Sequence, residues 1–349
     1  MSSRGEGRGL SSECARLPRL RVAIVATPRS GNTWLKGLLT SLYGLPDIIC
    51  DVPDEVPWQT LPERCVLQLH WGPEPGLLAS FRDHEIRPVT IARHPLDTLI
   101  SVLHFCTTWH KTARWYGGRG GDEDSVRGVL PSSTAFLSYA TGSRAATLMS
   151  ISREWLGIPT CHGLCYEQLV DDPHAELERL SHFLEVLPAE AIESAVAGNS
   201  LEQTRPKVAN QHHWVGTSAH WKRLLTASAA RQIAAAHSAT MELFHYESDA
   251  DEALTVTQAD LNWFALEIQS LRQELGRTRK QLLEAGERLD DAEACLLKVR
   301  RVAKPLKPLR ELGRQSARLA QQLRAYAGRN PHLSAALAQL VRPFARKAG

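Results

Sequence analysis

No stretch of this chain comes near the roughly 18 consecutive apolar residues that a membrane-crossing helix needs, so none is expected. The first 20 residues, MSSRGEGRGLSSECARLPRL, have no apolar core of a secretory signal. Seven cysteines, odd in number and scattered, do not suit a disulfide framework and point to a reducing compartment. The expectation is a cytoplasmic protein.

At 349 residues the chain has room for one large α/β domain or two ordinary ones. Apolar content of 43% and charged content of 23% exclude a disordered or fibrous chain. The formal net charge of +3 hides a division. Residues 301–349 carry eleven Lys or Arg against one acidic residue, a net of +10, and residues 1–300 carry a net of −7. The positive excess sits in a tail, not in a body built to hold nucleic acid.

Residues 1–20 read as a flexible arm. RVAIVA (21–26) is short, β-branched and without alternation, the pattern of a strand buried on both faces of a parallel sheet. It runs into TPRSGNTW (27–34) and then LKGLLTSLYG, apolar at helical spacing and closed by Gly44. CVLQLH (65–70) and PVTIA (88–92) read as further strands, with Pro95 opening a helix after the second. GGRGGDEDSVRG (117–128) reads as a surface loop, 133–155 as a helix, and HGLCY (162–166) as a strand, followed by a helix begun near Asp172–Pro173. Residues 200–225 read as a long loop, after which Thr226 caps a helix. Strands alternating with helices predict a three-layer α/β fold, a mostly parallel sheet flanked by helices, over 21–250.

From 261 the pattern changes. Leu261, Phe264, Ile268, Leu271, Leu275, Thr278, Leu282, Ala285, Leu289, Ala292, Leu296 and Val299 recur at spacings of three and four without a proline. This predicts a coiled coil over 258–300 and a homo-oligomer through it. The alternative is a long helix lying on the globular body. Pro305 and Pro308 end the helix, and Arg310, Arg314 and Arg318 then stand four apart in a basic helical tail, 301–349. Such a tail suits peripheral contact with an anionic membrane, at the inner face if the protein is cytoplasmic. With few aromatics (Tyr326 and Phe344), single-stranded nucleic acid is not the expected partner.

The 27–34 loop, between a buried strand and a helix, has the makings of an anion site. Amides at a helix start point at what the loop encloses, and the helix dipole favours negative charge there. Gly31 permits close approach, Ser30, Asn32 and Thr33 add short donors, and Arg29 brings a fixed cationic fork. The loop has neither G-x-x-x-x-G-K-[ST] nor G-x-G-x-x-G spacing, which excludes a nucleoside triphosphatase and a dinucleotide fold. Cys161, His162 and Cys165 do not suit a metal site, since 161 and 165 stand roughly 13 Å apart on a strand.

ATPRSGNTWLKGLL resembles the 5′-phosphosulfate loop of the sulfotransferases that use 3′-phosphoadenosine 5′-phosphosulfate (PAPS), typically T-Y-P-K-S-G-T-T-W. VTIARHPLDTLISVLHF (89–105) is similar to the family's V-x-R-N-P-x-D-x-x-x-S-x-x-x-F, LCYEQLVDDPHAELERLSHFL to its Y-E-D-L block, and GTSAHWKRLLT (216–226) to G-x-x-G-D-W-K-x-x-F-T. Four ordered blocks cover most of residues 21–245. The resemblance implies PAPS as sulfuryl donor with no metal, Arg93 and Ser101 on its 3′-phosphate, Trp34 and Tyr166 at the adenine, and Gly216 as a backbone contact. It places Arg29, with Ser30 to Thr33, on the leaving phosphate.

PERCVLQLHWGPEPGLL (62–78) resembles the family segment that carries the catalytic base, which falls on His70. A strand-end imidazole there suits proton abstraction near neutral pH. His104 and His110 are the next candidates. The sequence departs from the family at Gln68, where a Lys is frequent, and at Trp214–Val215, where Arg and Lys stand. Arg205, Lys207, His212, His213 or Lys222 are left as replacements. The expected function is sulfuryl transfer to a hydroxyl or amine of a glycan, glycolipid or small molecule. The alternative is a catalytically weakened nucleotide-binding scaffold acting through its coiled coil. Trp109, Trp115 and Tyr116 are the expected acceptor-side aromatics.

Overall fold

The computed structural model describes residues 19–200 and 218–303, with residues 318 and 321. The arm over 1–18, the segment 201–217 and nearly all of the basic tail lie outside the described residues. The chain divides into two compact units, Met1–Gln273 and Glu274–Gly349. Among the described residues no helix is long and apolar enough to cross a membrane.

Unit one is built on five parallel strands: β1 (Leu20–Val25), β2 (Asp47–Ile49), β3 (Arg64–Leu69), β4 (Ile86–Ala92) and β5 (His162–Cys165), in the order β2-β3-β1-β4-β5. Every residue of β1 is buried, as expected of the central strand. Alternation then sorts its side chains. Ala23 and Val25 pack with Leu67, Leu69, Leu99 and Trp155 on one face, and Val22 and Ile24 pack with Leu35, Leu38, Val66 and Ile91 on the other. The helices α1 (Asn32–Tyr43), α2 (Pro75–Asp83) and α3 (Pro95–Thr108) follow β1, β3 and β4. Gly44 closes α1 in the left-handed conformation at φ 62°, and Pro95 takes the first turn of α3.

The expected α/β architecture is the observed one, with local differences. β2 was not foreseen; three residues at a sheet edge, none of them buried, give little signal. The single helix expected over 133–155 is two, α4 (Thr134–Ala140) and α5 (Ser143–Leu156), because Gly142 turns extended with ψ 178°. Segment 117–128 is not a simple surface loop: Glu123 and Val126 are fully buried, and Glu123 pairs with Arg144 of α5 at 2.8 Å.

Beyond β5 come α6 (Tyr166–Asp171), α7 (Pro173–Phe183), α8 (Ala189–Gly198), α9 (Trp221–Leu224), α10 (Ala227–Ala236) and α11 (Ser238–Leu243). Asp172 caps α7 by accepting from Ala175, and Thr226 caps α10 by accepting from Ala229. His237 separates α10 from α11, so the helix begun at Thr226 is broken once. The last helix, α12, runs unbroken over Val256–Ala303.

Position follows from topology. β1 leads outward toward β2 on one side and β4 leads toward β5 on the other, so their carboxyl-end loops diverge and leave a crevice, where open α/β sheets bind ligands.

Candidate active site

The loop after β1 is pinned from behind. Thr27 N–H bonds Ser152 Oγ at 2.8 Å, and its hydroxyl donates to the Leu148 carbonyl at 2.9 Å. Its own carbonyl accepts from Ser30 Oγ at 2.6 Å and Asn32 Nδ2 at 2.8 Å. The side chains of Ser30 and Asn32 donate to the Thr27 carbonyl and so shape the loop. Thr33, half-buried in the first turn of α1, and the amides of Asn32 and Thr33 face no such internal acceptor, whereas the Trp34 amide already bonds the Gly31 carbonyl at 3.0 Å.

Two residues of this loop adopt left-handed backbone, Arg29 at φ 68° and Gly31 at φ 109°. Gly31 is required twice over. Its φ disfavours any side chain, and a Cβ there would stand 2.6 Å from Cδ2 of Tyr166. Tyr166, at the start of α6, is therefore laid against the loop backbone. Trp34 meets its ring edge-on at 6.2 Å and donates from Nε1 to the Asn199 carbonyl at 3.1 Å.

Two guanidinium groups converge on this crevice. Arg29 Nε donates to Ser101 Oγ at 3.1 Å, and its Cζ sits 4.3 Å from the Phe105 ring centre. Arg93 follows β4, donates to the Arg29 carbonyl at 3.3 Å, and lies 4.5 Å over the Tyr166 ring. Burial first, then the charge of Arg93, lowers the Arg29 pKa to about 9. Like charges gathered at a helix start and held over aromatic faces form a site that an anion would stabilise.

Register places His70 beside this. Val25 of β1 pairs with Leu69 of β3, so the next residues, Ala26 and His70, lie level. His70 Nδ1 is 2.9 Å from the Ala26 carbonyl. A carbonyl can only accept, so Nδ1 carries the proton and neutral Nε2 keeps its lone pair. Burial pushes the imidazole pKa down, helped by the Arg29 charge; the Ala26 bond and Asp51 oppose it. The ring stays neutral and basic at Nε2 near pH 7. His104 instead binds Glu267 through Nδ1 at 2.5 Å, and the side chain of His110 lies outside the described residues. Gln68 Oε1, at the position where the family often has Lys, is buried without a hydrogen-bond partner.

The acceptor-side aromatics are more deeply packed than expected. Trp115 and Tyr116 belong to the core, although Trp115 still meets His70 edge-on at 6.1 Å. Trp109 alone of the three is exposed.

Sequence reasoning passed over Asp97. Fully buried on α3, it accepts the backbone N–H of Ala219 at 2.6 Å and of Trp221 at 3.0 Å. It thereby ties the segment of Arg93 and Ser101 to the fourth motif and holds Ala219 at φ 63° where the family has Gly. The aspartate stood in the motif VTIARHPLD and could have been found there. Trp221 stacks on His94 at 5.2 Å, and His94 donates from Nε2 to the Glu247 carbonyl. Lys222 pairs with Asp249 at the surface. The other candidates for the missing charges (Arg205, Lys207, His212 and His213), with Trp214, Val215 and Gly216, lie outside the described residues.

Strand-end loops that gather two guanidiniums, a serine and a neutral imidazole around one crevice define an anion-binding group-transfer site. Residues 20–244 match the family described as Sulfotransferase domain, well over half of the chain. The chain belongs to that family. No curated protein matches it. Among solved structures it is similar to the mouse sulfotransferase SULT7A1 complexed with PAP, at 15% identity and a TM-score of 0.48, covering 65% of this chain and 86% of that one. A retinol dehydratase in complex with androsterone and the inactive cofactor PAP aligns at 14% identity and a TM-score of 0.46, over 67% and 82% of the two chains. The sulfotransferase domain of the Synechococcus PCC 7002 olefin synthase aligns at 15% and 0.37, over 66% and 96%.

Proposed function

We propose that this sulfotransferase moves the sulfuryl group of PAPS to an acceptor hydroxyl or amine, with His70 as general base. The convergence of Arg29, Arg93 and Ser101 at the carboxyl ends of β1 and β4 carries the reading. Two cations, a serine and a glycine-lined helix start fit a nucleotide with two separate phosphate positions. Arg93 and Ser101 would hold the 3′-phosphate, and Arg29 with Thr33 and the α1 amides the 5′ side. The platform of Trp34 and Tyr166 fits the adenine, and Gly216 would add a backbone contact.

The donor brings the activated sulfuryl group. This chain's part is to bind, orient and neutralise. His70 Nε2 takes the acceptor proton, and Arg29 offsets the charge growing on the leaving phosphate. Arg29 stays cationic throughout, so it acts by charge and not as an acid.

Calorimetry with 3′-phosphoadenosine 5′-phosphate (PAP) and ADP tests the donor reading. PAP should bind at least tenfold tighter, and equal affinities overturn it. The scaffold reading rests on the missing cations at Gln68, Trp214 and Val215. Turnover of a labelled sulfuryl group from PAPS, lost in His70→Ala, rejects that reading.

The acceptor is proposed to be a cytoplasmic hydroxyl compound such as a glycan or glycolipid precursor. The basic tail at net +10 would hold the enzyme to an anionic inner-membrane surface. Salt-sensitive co-sedimentation with anionic vesicles, lost on deleting 301–349, checks the tail.

A further inference from the structure

The first turns of α12 separate two faces. One face docks on unit one: Ala259 and Trp263 are 1% and 5% exposed, Leu266 packs against the core, and Glu267 Oε1 meets His104 Nδ1 at 2.5 Å. The other face is open. Leu261, Phe264, Ile268 and Leu271 are each about half exposed or more, at 57, 49, 49 and 58%. At about 100° per residue the centres of the two stripes are roughly 135° apart around the helix. The three–four seam is therefore not the surface that packs on the globular body.

The seam continues along the same helix through Leu275, Leu282, Leu289 and Leu296, exposed by 45 to 70%. Leu or Ile recurs every seven residues at 261, 268, 275, 282, 289 and 296, with Phe264, Leu271, Thr278, Ala285 and Ala292 at the second core position. Flanking charges then discriminate among occupants. In two copies aligned in parallel and in register, the residue just before one core position faces the residue just after the next. Beyond Glu267, whose carboxylate is held by His104, these pairs are Glu274 with Arg279, Gln281 with Gly286, and Arg288 with Glu293. Two are opposite in sign, none is like-charged, and each occurs twice in a dimer.

We infer that the occupant of this seam is a second copy of the chain, joined in a parallel, in-register coiled coil along α12. Its charges complement themselves, which a partner of another sequence would have to match by its own design. The inference stands apart from the donor and acceptor readings, since the seam shares no residue with the site.

Sedimentation equilibrium of the full-length chain should give the mass of two protomers at micromolar concentration. The double variant Leu282→Asp/Leu289→Asp, altered only at exposed positions, should sediment as one protomer and keep wild-type PAP affinity. In a Cys295→Ser background, Ala285→Cys should form a covalent dimer on mild oxidation, because like positions at 285 face each other only in parallel register. A wild-type chain that stays monomeric at tens of micromolar overturns the inference. A double variant that remains dimeric overturns the seam as the interface. A dimer that never cross-links through position 285 overturns the parallel register and leaves an antiparallel pairing.

Discussion

The Nε of Arg29 donates to the Oγ of Ser101 across 3.1 Å, joining the loop after β1 to the second turn of α3. Because Ser101 accepts here, its own proton stays available to donate outward. One hydroxyl thus fixes the distance between two strand-end loops and offers a donor to what lies between them.

Removing Ser101 or Arg93, the two proposed 3′-phosphate contacts, should be visible in nucleotide selectivity. Ser101→Ala deletes a neutral contact and should weaken PAP by about 1 kcal/mol, roughly fivefold. Arg93→Ala deletes a charge-assisted contact and should cost about 2 kcal/mol, roughly 30-fold. ADP, without a 3′-phosphate, should lose clearly less, only what the loosened Arg29 costs its 5′ side. Calorimetry with the two nucleotides checks this, and parallel losses for both would move Arg93 off the 3′-phosphate.

The depressed pKa of His70 sets the direction of the pH profile. Burial lowers it beneath the ordinary 6.5, so the neutral base persists to lower pH than a free imidazole would. Turnover should fall as pH drops through this lowered value, giving an acid limb with its midpoint below 6.5. His70→Ala should bind PAP normally, lose roughly 100-fold in kcat and lose that limb. A wild-type profile in the variant would send the base elsewhere.

The same groups link folding to pH. Burial also lowers His162, His220 and His237. Below the unfolded value of 6.5 the unfolded chain takes up protons that the folded one resists. The stability contributed by neutral burial is thus complete above that value and is lost as pH falls from it through the lowered folded values. Melting temperature should drop steadily from neutral to mildly acidic buffer, more than carboxylate titration alone produces in that range.

Particular residues show how far the sequence could be read. β1 and Gly44 were legible because an unalternating β-branched run and a glycine at a helix end each have one strong local reading. The strand-end positions of His70 and Arg93 were legible because the same runs set where the strands stop, whereas Tyr166 was marked only by the family resemblance. The burial of Glu123 was not, since its partner Arg144 lies 21 residues on, across a glycine-rich segment that looks solvated. The break at Gly142 was hidden by apolar spacing that continues through it. The inward turn of Ser30 and Asn32 depends on the direction of one carbonyl, that of Thr27, which no side-chain pattern records.

Gly31→Ala should damage fold and site together. At φ 109° a non-glycine residue costs about 1–2 kcal/mol, and a Cβ 2.6 Å from Tyr166 adds overpacking of similar size. Thermal melting should fall by about 5 °C or more. PAP affinity should fall further than ADP mimics without the adenine ring, because relief of the clash displaces Tyr166. A variant with wild-type melting and affinity would show that the loop is wider in solution.

The Glu123–Arg144 pair links a buried charge to the acceptor side. Arg144 Nε bonds Glu123 at 2.8 Å, while its other nitrogens hold the carbonyls of Thr112, Trp115 and Arg119 at 3.2, 3.1 and 2.8 Å. One guanidinium thus clamps the segment that sets Trp115 against His70. Glu123→Ala leaves this cation buried without its counter-charge and should cost about 3–5 kcal/mol in a denaturant titration. Adding Arg144→Met removes the stranded charge and should recover part of that loss, since no unpaired cation is then left buried. It does not restore the three carbonyl bonds. The double variant should therefore be more stable than Glu123→Ala alone, bind PAP like the wild type, and still turn over poorly because the acceptor wall is unclamped. Full activity in the double variant would show that the segment keeps its place through apolar packing alone.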